Sequence, residues 1–512
     1  MEMFKAIALL SKTKIFSFLF FVFLALILLT RILLFFSVNI NCIDSDQPFM
    51  WAGATDYAKG FFYEPRFYGQ DYNSFLEPLF AVPLLWCKVP VYYALPIATH
   101  VLFLFPFLFT AIYLYAKHKK EQALVVLSVL LCMPVAYDII NALPRGFISG
   151  LFFTSFFVLS FINPRNLKFV TLNSLMACMG YFINPNSFIV AAPLLAYLFF
   201  INYRHKKYYI ISGLSLLSFI PLYFIFDRFY LLHPDYVVYG LNYSFGLNYF
   251  QINISHLDEA FEHISFFMEG RSVILILILL LIPILLYKNN RAAFYAFLIF
   301  YLVVLVSFFS GKVREGSPWP FYSYSRMYLG IPLVIGLFSS LINFNSSRMM
   351  VLLITLVFLF SGLKFYRFNK DIAYHSEERH WVGVHLVPLK TILGTLKTYK
   401  EIAEKNHVDR FLISNGFWLN TYVNYGSQAV YPDFPTTQET NSERRYWVRE
   451  ANNNKVYERF VFVSAVFAIA KQFDTKKACE VQALDNYGLL LVQHNTLTTS
   501  DFIKLVKENE SK

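Results

Sequence analysis

Apolar segments of about 17 residues or more alternate with polar loops over the first two thirds of the chain. Each is long enough to cross a hydrocarbon core of about 30 Å. The first run is too long for a signal peptide, and no small-residue cleavage site follows it, so it reads as an uncleaved span. The pattern predicts about eleven transmembrane helices, at 14–36, 91–116, 122–140, 147–163, 168–183, 187–202, 208–226, 271–287, 292–310, 326–343 and 349–366.

Basic residues mark every second loop between these spans. Cytoplasmic loops of membrane proteins carry an excess of Lys and Arg, so the bias orients the chain with its N-terminus in the cytoplasm. An odd number of spans then places the C-terminus outside the cytoplasm. The basic loops are 117–120, Arg165 with Lys168, 204–207, Lys288 with Arg291, and Arg348.

Three long segments fall on the outer side: 37–90, 227–270 and the C-terminal region 367–512. The last of these is polar and alternates helical with strand-like stretches, which is typical of a small α/β domain. The predicted helices are 389–405, 418–425 and 444–452, and the predicted strands are 410–414, 429–431, 459–464 and 488–493. The sequence therefore predicts a polytopic α-helical membrane domain, 1–366, followed by an extracytoplasmic α/β domain, 367–512.

Composition and charge narrow the function classes. The 512 residues are 57% apolar and only 15% charged, against about 25% charged in average proteins. The net charge of +11 lies in short loops rather than along one stripe, so nucleic-acid binding is not indicated. The middles of the spans are nearly free of ionisable residues, which argues against ion-coupled transport. The ionisable residues near the spans lie at the outer ends of the spans: Asp138, Arg145, Asp227 and Arg228.

Acidic residues of the first outer loop are the candidates for acid–base chemistry. Asp44 and Asp46 precede a predicted helix over 46–60. Residues two apart diverge by about 200° on a helix, so only one of the two is expected to face a given site. The alternative for Asp46 is a helix cap. Asp56 lies near three helical turns after Asp46, so it could share the helix face of Asp46. The alternative for Asp56 is a solvated helix residue.

The rest of this loop combines a flexible glycine with hydrogen-bonding side chains. It continues into an apolar stretch at 76–85 that is too short to span a bilayer and is expected to lie on the membrane surface. Glu77 opens that stretch, where its charge also suits a helix N-terminus. The polar run before it is Tyr68-Gly69-Gln70-Asp71-Tyr72.

The order of these parts resembles membrane glycosyltransferases of the GT-C superfamily, in particular the bacterial relatives of protein O-mannosyltransferases. Members have a cytoplasmic N-terminus and then a long outer loop with an Asp-Glu pair near its start, where this chain has Asp46-Gln47. The departure leaves Asp44 or Asp46 as the equivalent. The other matching runs are 68–72, Leu76-Glu77, 81–83 (Ala-Val-Pro) and 325–332 (Ser-Arg-Met-Tyr-Leu-Gly-Ile-Pro), the last an imperfect match.

The resemblance implies sugar transfer, with inversion, from a polyprenyl-phosphate-type donor at the outer face of a bacterial inner membrane. The acceptor would be a lipid, a glycan or a protein. An Asp of the first loop would be the general base: Asp46, Asp44 or, third, Asp56. Cations would meet the donor phosphate, with Arg145, Arg326, Lys312 and Arg314 as candidates. Contacts to sugar or acceptor would come from Tyr68, Gln70, Tyr72 and Glu77.

Alternatives stay open for these residues and for the chain. Lipid headgroup contact would explain the arginines, and loop packing would explain the tyrosines. No cofactor is expected, although a divalent ion could bind among the acids and histidines of the second outer loop, such as Asp258, Glu259 and His263. The cysteines show no CxxC spacing. A flippase or transporter for lipid-linked oligosaccharides, or a polysaccharide polymerase, is the alternative function.

Overall fold

The structure is a computed structural model, and it describes residues 2–70, 73–236, 244–267, 269–317, 319–343, 347–377, 386–414, 419–441, 443–464, 479–484, 487–494 and 496–510. Helices dominate the first three quarters of the chain. They are α1 (Glu2–Leu34), α2 (Gln47–Ala58), α3 (Leu76–Trp86), α4 (Val91–Ala116), α5 (Lys120–Cys132), α6 (Val135–Ile140), α7 (Phe157–Ile162), α8 (Leu167–Ile183), α9 (Phe188–Asn202), α10 (Lys206–Leu217), α11 (Ile220–Leu232), α12 (Leu247–Ser255), α13 (Leu257–Ala260), α14 (Val273–Asn289), α15 (Arg291–Ser307), α16 (Ile331–Ser339) and α17 (Ser347–Glu377).

Short helical turns connect several of these helices. Phe35–Asn39 extends α1 as a π-helical turn, and the 3₁₀ segments are Ser149–Phe156, Pro185–Ser187, Glu262–Ile264, Gly311–Arg314, Pro320–Tyr322 and Tyr324–Tyr328. Within the described residues, five helical segments are long and apolar enough to cross a membrane: Lys14–Asn39, Val91–Ala116, Pro185–Asn202, Lys206–Leu232 and Met349–His375. The chain is a polytopic membrane protein, and the number of eleven spans stays a prediction.

Prolines explain why some predicted spans are divided. The predicted span 122–140 forms two helices, α5 and α6, with Met133 and Pro134 between them. Proline lacks an N–H and clashes with the preceding turn, so it ends a helix or starts the next one. Pro221 likewise stands in the first turn of α11, where the predicted span 208–226 divides. The predicted span 326–343 shortens to α16 and begins at Ile331, because Tyr324–Tyr328 forms a 3₁₀ segment.

Small residues let two membrane segments approach closely. A Cβ added to Gly150, in the 3₁₀ segment 149–156, would lie 2.6 Å from the carbonyl oxygen of Gly180 in α8. A methyl group does not fit at that distance, so glycine is required by packing. Gly180 meets the carbonyl oxygen of Gly150 in the same way, at 2.9 Å. This contact holds the residues after α8 against the loop that precedes the 3₁₀ segment.

The C-terminal region contains a five-stranded mixed sheet and helices. The strands are β1 (Cys42–Ile43) in the first loop, then β2 (Val387–Pro388), β3 (Arg410–Ile413), β4 (Thr436–Glu439), β5 (Arg459–Val463), β6 (Cys479–Ala483) and β7 (Leu489–Gln493). The sheet order is β4-β3-β5-β7-β6, with β3 parallel to β4 and β5 and the remaining pairs antiparallel. The helices are α18 (Leu389–Asn406), α19 (Asn420–Val430), α20 (Tyr446–Asn452) and α21 (Thr499–Glu510).

Most of the predicted elements of this region form, and three strands were missed: β2, β4 and β6. The predicted strand 429–431 is wrong, because Ala429 and Val430 end α19. β4 reads Thr-Thr-Gln-Glu, which gives no apolar signal, yet Thr437, Gln438 and Glu439 are buried beside β3. These polar side chains are satisfied inside: Thr437 donates to the Asn424 carbonyl oxygen and Glu439 accepts from Asn420, both in α19, while Gln438 accepts from Arg410 in β3.

The C-terminal domain shares a hydrophobic core with the first outer loop. β1 pairs antiparallel with β2, joining Ile43 to Val387. The Phe49 ring in α2 lies 3.9 Å from the Tyr425 ring in α19, centroid to centroid. Trp51, also in α2, is only 1% exposed. Helix α2 was predicted over 46–60 and forms over 47–58, between the membrane domain and this domain.

Candidate active site at the first outer loop

Asp44 precedes α2 and starts that helix. Its Oδ1 accepts hydrogen bonds from the backbone N–H groups of Asp46 (2.9 Å) and Gln47 (3.2 Å). These are among the N–H groups that a helix leaves without an internal partner. The Asp46 side chain makes no such capping bond. The capping role considered for Asp46 therefore belongs to Asp44.

Arg145 brings both acids together. Its Nη2 lies 2.7 Å from Asp46 Oδ2, and its Nε lies 3.3 Å from Asp44 Oδ2. The prediction that the two acids point apart is wrong, because Asp44 lies before the helix begins and helical phase does not apply to it. The guanidinium has a planar fork of donors, which suits two carboxylates at once.

Burial distinguishes the two carboxylates. The Asp44 side chain is 0% exposed and the Asp46 side chain is 39% exposed. Burial raises the pKa of Asp44, and the nearby Arg145 opposes that shift. Burial also acts to lower the pKa of Arg145, but the charges of Asp44 and Asp46 prevail and raise it. The cluster therefore holds a permanent cation between a structural acid and an accessible one.

Arg326 joins this cluster through a shared aromatic ring. Its guanidinium carbon lies 4.0 Å from the centroid of the Tyr322 ring, and that of Arg145 lies 5.5 Å from the same centroid. Arg326 Nη2 also donates to the Tyr322 hydroxyl at 3.3 Å. Arg145 Nη1 is buried and has no hydrogen-bond partner within the described part of the chain. Two of the four predicted phosphate-binding cations thus lie around Tyr322.

The other two predicted cations are engaged in local ion pairs. Lys312 pairs with Glu315, and Arg314 Nη1 lies 2.6 Å from Glu259 Oε2 in the second outer loop. Both cations are partly buried. Neither has a described contact with Asp44, Asp46 or Arg145, so their role at a phosphate stays a prediction.

Glu77 holds the loop that carries Arg145. Its Oε2 accepts from the backbone N–H of Gly146 at 3.1 Å, and the Gly146 carbonyl oxygen accepts from Asn184 Nδ2 at 2.6 Å. Asn184 also donates to Asn73 Oδ1 at 3.0 Å. Glu77 is 1% exposed, and burial raises its pKa to about 8. The substrate contact predicted for Glu77 stays a prediction.

Asp56 belongs to a second cluster, together with Tyr68. The Tyr68 hydroxyl donates to Asp56 Oδ2 at 2.8 Å, and burial raises the pKa of Asp56. Gln70 Oε1 accepts from Asn73 Nδ2 at 3.2 Å. Tyr72 lies outside the described residues. The roles predicted for Asp56, Tyr68, Gln70 and Tyr72 therefore stay predictions.

Two further features were missed from the sequence. The Tyr422 hydroxyl, from α19, lies 3.4 Å from the carbonyl oxygen of Ile43, beside the acid–arginine cluster. No local pattern links residues so distant in sequence. In the membrane domain, Arg31 Nη2 lies 2.6 Å from Asp138 Oδ1, and Lys364 pairs with the same carboxylate. Arg31 and Lys364, charges within or beside apolar runs, were visible signals of this buried triad.

Glu269 of the second outer loop lies beside His263 of the same loop and His375 of α17. His263 Nε2 lies 3.6 Å from Glu269 Oε1, and His375 Nε2 lies 3.2 Å from the same atom. His263 Nδ1 also bonds Ser323 Oγ at 2.7 Å. Across the described residues, no group of three or more His, Cys, Asp or Glu side chains could hold a metal ion. Metal dependence remains untested.

Comparison with known proteins finds similarity in structure and not in sequence. No family model matches the chain, and no curated protein matches it. Its fold is similar to that of ArnT from Cupriavidus metallidurans, in the apo state, with a TM-score of 0.56, 10% identity, and coverage of 92% of this chain and 97% of that chain. The chain has the GT-C fold.

A second solved structure of the same protein, bound to undecaprenyl phosphate, gives a TM-score of 0.55 at 9% identity and the same coverage. The resemblance to the GT-C superfamily expected from the first loop is therefore confirmed at the level of the fold. Since the likeness extends over nearly the whole of both chains, it includes the C-terminal domain as well as the membrane domain.

Proposed function

We propose that this chain is a glycosyltransferase that moves a sugar from a polyprenyl-phosphate-type donor to an acceptor hydroxyl at the outer face of a bacterial inner membrane. The observation that carries the proposal is Arg145 held between Asp44 and Asp46 on a GT-C fold. The fold is shared with ArnT, one structure of which is bound to undecaprenyl phosphate. A lipid-linked donor is consistent with a site at the outer ends of apolar helices.

In the proposed step, the acceptor oxygen forms a bond to the anomeric carbon from the face opposite the leaving group. The anomeric carbon–oxygen bond to phosphate breaks, and the polyprenyl phosphate departs with the electron pair. The hydroxyl proton passes to the base. One displacement at that carbon inverts its configuration.

Exposure favours Asp46 over Asp44 as the base. A general base must come within hydrogen-bond reach of the proton it removes. Asp44 is fully buried, and its Oδ1 already accepts two backbone N–H groups. The Asp46 side chain is 39% exposed and is tied by Arg145 through Oδ2. Asp46 is therefore the carboxylate that an acceptor can reach.

Arg145 and Arg326 are the proposed cations for the phosphate. Charge builds on the phosphate as it leaves, and preorganised cations stabilise that charge most where water is excluded. Both arginines are buried, at 4% and 6% exposure. The Nη1 donor of Arg145, which has no partner among the described groups, is available to a phosphate oxygen.

Substitution of each acid by its amide tests the proposal. We expect Asp46→Asn to lower sugar transfer from a polyprenyl-phosphate sugar by at least about a hundredfold, the usual range for general-base loss, with an unchanged melting temperature. Asp44→Asn should lower the melting temperature as well, because a buried cap and ion pair are disturbed. Transfer by purified protein in liposomes, with thermal unfolding measured in parallel, provides both quantities.

The same liposomes separate the alternatives. If Asp46→Asn retains wild-type turnover while folded, the proposed base is wrong. If labelled lipid crosses the bilayer without transfer to an acceptor, the chain is a flippase or transporter. Products that grow by repeated additions of a glycan unit would instead identify a polymerase.

A further inference from the structure

We propose that Glu77 is a positioning residue that acts through Gly146 to hold Arg145 against the acid pair and the donor phosphate. This inference rests on the proposed function for the meaning of Arg145. Glu77 itself is buried and would touch neither sugar nor acceptor. Its carboxyl group acts as a hydrogen-bond acceptor for the backbone.

The first observation is the bond on the N–H side of Gly146. Gly146 directly follows Arg145, and its N–H donates to Glu77 Oε2 at 3.1 Å. Gly146 has a φ of +75°, a left-handed conformation that glycine adopts without strain. The hydrogen bond therefore fixes the orientation of the peptide group between Arg145 and Gly146. A different backbone conformation at Gly146 would change that orientation.

The second observation is the matching bonds on the C=O side. The Gly146 carbonyl oxygen accepts from Asn184 Nδ2 at 2.6 Å and from Ser149 Oγ at 3.0 Å. With Glu77 on the N–H, both polar groups of Gly146 are bound by side chains. The Arg145 backbone has little freedom to move, so its guanidinium is directed to Asp44 and Asp46. Small displacements at a catalytic centre can cost on the order of a hundredfold in rate.

The third observation concerns the charge of Glu77. Its Oε1 is buried and has no hydrogen-bond partner within the described ranges. Burial of a charge is costly unless it is paired, which is why burial raises the pKa of Glu77 to about 8. A neutral acceptor satisfies the geometry, so Gln in place of Glu should serve. A residue that bound substrate as an anion or removed a proton would not tolerate that change.

The experiment compares Glu77→Gln with Glu77→Leu in the full-length protein, using a polyprenyl-phosphate sugar as donor. We expect Glu77→Gln to stay within about threefold of wild type, because the amide oxygen accepts the same bond. Glu77→Leu should raise the donor KM by on the order of tenfold or more, with the acceptor KM unchanged. The matched control is Glu64→Leu: Glu64 is also 1% exposed with a pKa raised to about 8, but it bonds Tyr230 instead. It should leave the donor KM unchanged.

A double variant shows whether Glu77 acts through Arg145. If it does, Glu77→Leu combined with Arg145→Gln should be no worse than Arg145→Gln alone, because residues that act as a unit are not additive. If the activity losses of the two single variants multiply in the double variant, the proposal is wrong. It is also wrong if Glu77→Gln loses activity, or if the Glu64→Leu control raises the donor KM equally.

A structural readout keeps this inference separate from the proposed function. A cryo-EM structure of Glu77→Leu should show Arg145 displaced from Asp44 and Asp46, while the structure of Glu64→Leu should not. If wild-type protein transfers no sugar from any polyprenyl-phosphate donor, the proposed function fails, and the position of Arg145 still decides the role of Glu77. An unmoved Arg145 overturns the role of Glu77 even in an active transferase.

Discussion

Glu64 and Glu77 are two buried carboxyl groups of the first outer loop, each with a pKa raised by burial to about 8. Both lie where water cannot solvate a charge, and both give one oxygen to a neutral donor, the Tyr230 hydroxyl or the Gly146 N–H. Their protonation therefore depends on pH within the neutral range. Asp44 differs from them because Arg145 opposes the effect of burial on its pKa.

A pH dependence of stability follows from Glu77. An unfolded glutamate releases its proton near its ordinary value of 4.5, whereas the folded protein holds it until about 8. The folded state binds more protons in between, so this group stabilises the fold at low pH and the contribution is lost as pH rises through about 8. We expect Glu77→Gln and wild type to melt alike at pH 5.

At pH 8.5 the variant should melt higher than wild type, by on the order of 2 °C, because it cannot ionise. Thermal unfolding in detergent over pH 5–8.5 measures the difference, with Glu77→Leu as the control that also lacks the ionisable group. Parallel curves for wild type and Glu77→Gln would show that Glu77 ionises in the folded protein as easily as in the unfolded one.

Helix packing next to Gly150 determines where Asn184 can reach Gly146. The 3₁₀ segment 149–156 and α8 approach so closely that an added Cβ at Gly150 would lie 2.6 Å from the Gly180 carbonyl oxygen and 2.9 Å from that of Asn184. Both are backbone atoms and cannot rotate away. Asn184 directly follows α8, so a shift of that helix would carry it away from Gly146.

We therefore expect Gly150→Ala to lower stability by about 1–3 kcal/mol, the usual cost of overpacking, and to lower activity as Asn184 moves. Gly213→Ala is the matched control, because Gly213 lies inside α10 and an added Cβ meets nothing within 4 Å. There alanine should raise stability by up to about 1 kcal/mol. Thermal unfolding and transfer assays of both variants test the difference; equal stability of the two would contradict the packing argument.

At the scale of the whole molecule, the first outer loop and the C-terminal region share one core beside the acid–arginine cluster. Phe49 and Trp51 of α2 pack against the α19 region of the C-terminal domain, and β1 pairs with β2. Since α2 begins at the Asp44 cap, this docking also orients the acids. The domain must therefore lie on the same side of the membrane as the first loop.

Reporter fusions test that arrangement. Alkaline phosphatase fused after Lys512 should be active, because the basic loops predict an extracytoplasmic C-terminus. The same reporter fused after His118, in a predicted cytoplasmic loop, should be inactive, and green fluorescent protein should show the reverse pattern. An inactive phosphatase at both positions, with stable fusion protein, would overturn the predicted orientation.

Local sequence patterns predicted most of the helices, but not every boundary and not every strand. Apolar length predicted α4 over its observed bounds, Val91–Ala116, because a helix that crosses a bilayer must be long and apolar throughout. The stretch 46–60 predicted α2, and the apolar run 76–85 predicted α3, whose place on the membrane surface stays a prediction. β4 was missed, because its Thr-Thr-Gln-Glu sequence becomes buried only through bonds to distant residues.

The sequence by itself determined the membrane class, the resemblance to the GT-C superfamily and the first-loop acids as candidates, since all three depend on composition or on neighbouring residues. Only the tertiary structure decided that Asp44 and Asp46 converge on Arg145, some 100 residues away, and that Glu77 faces Gly146. The reason is physical: hydrogen bonds and ion pairs between segments far apart in sequence depend on how helices pack, and no local periodicity encodes that packing.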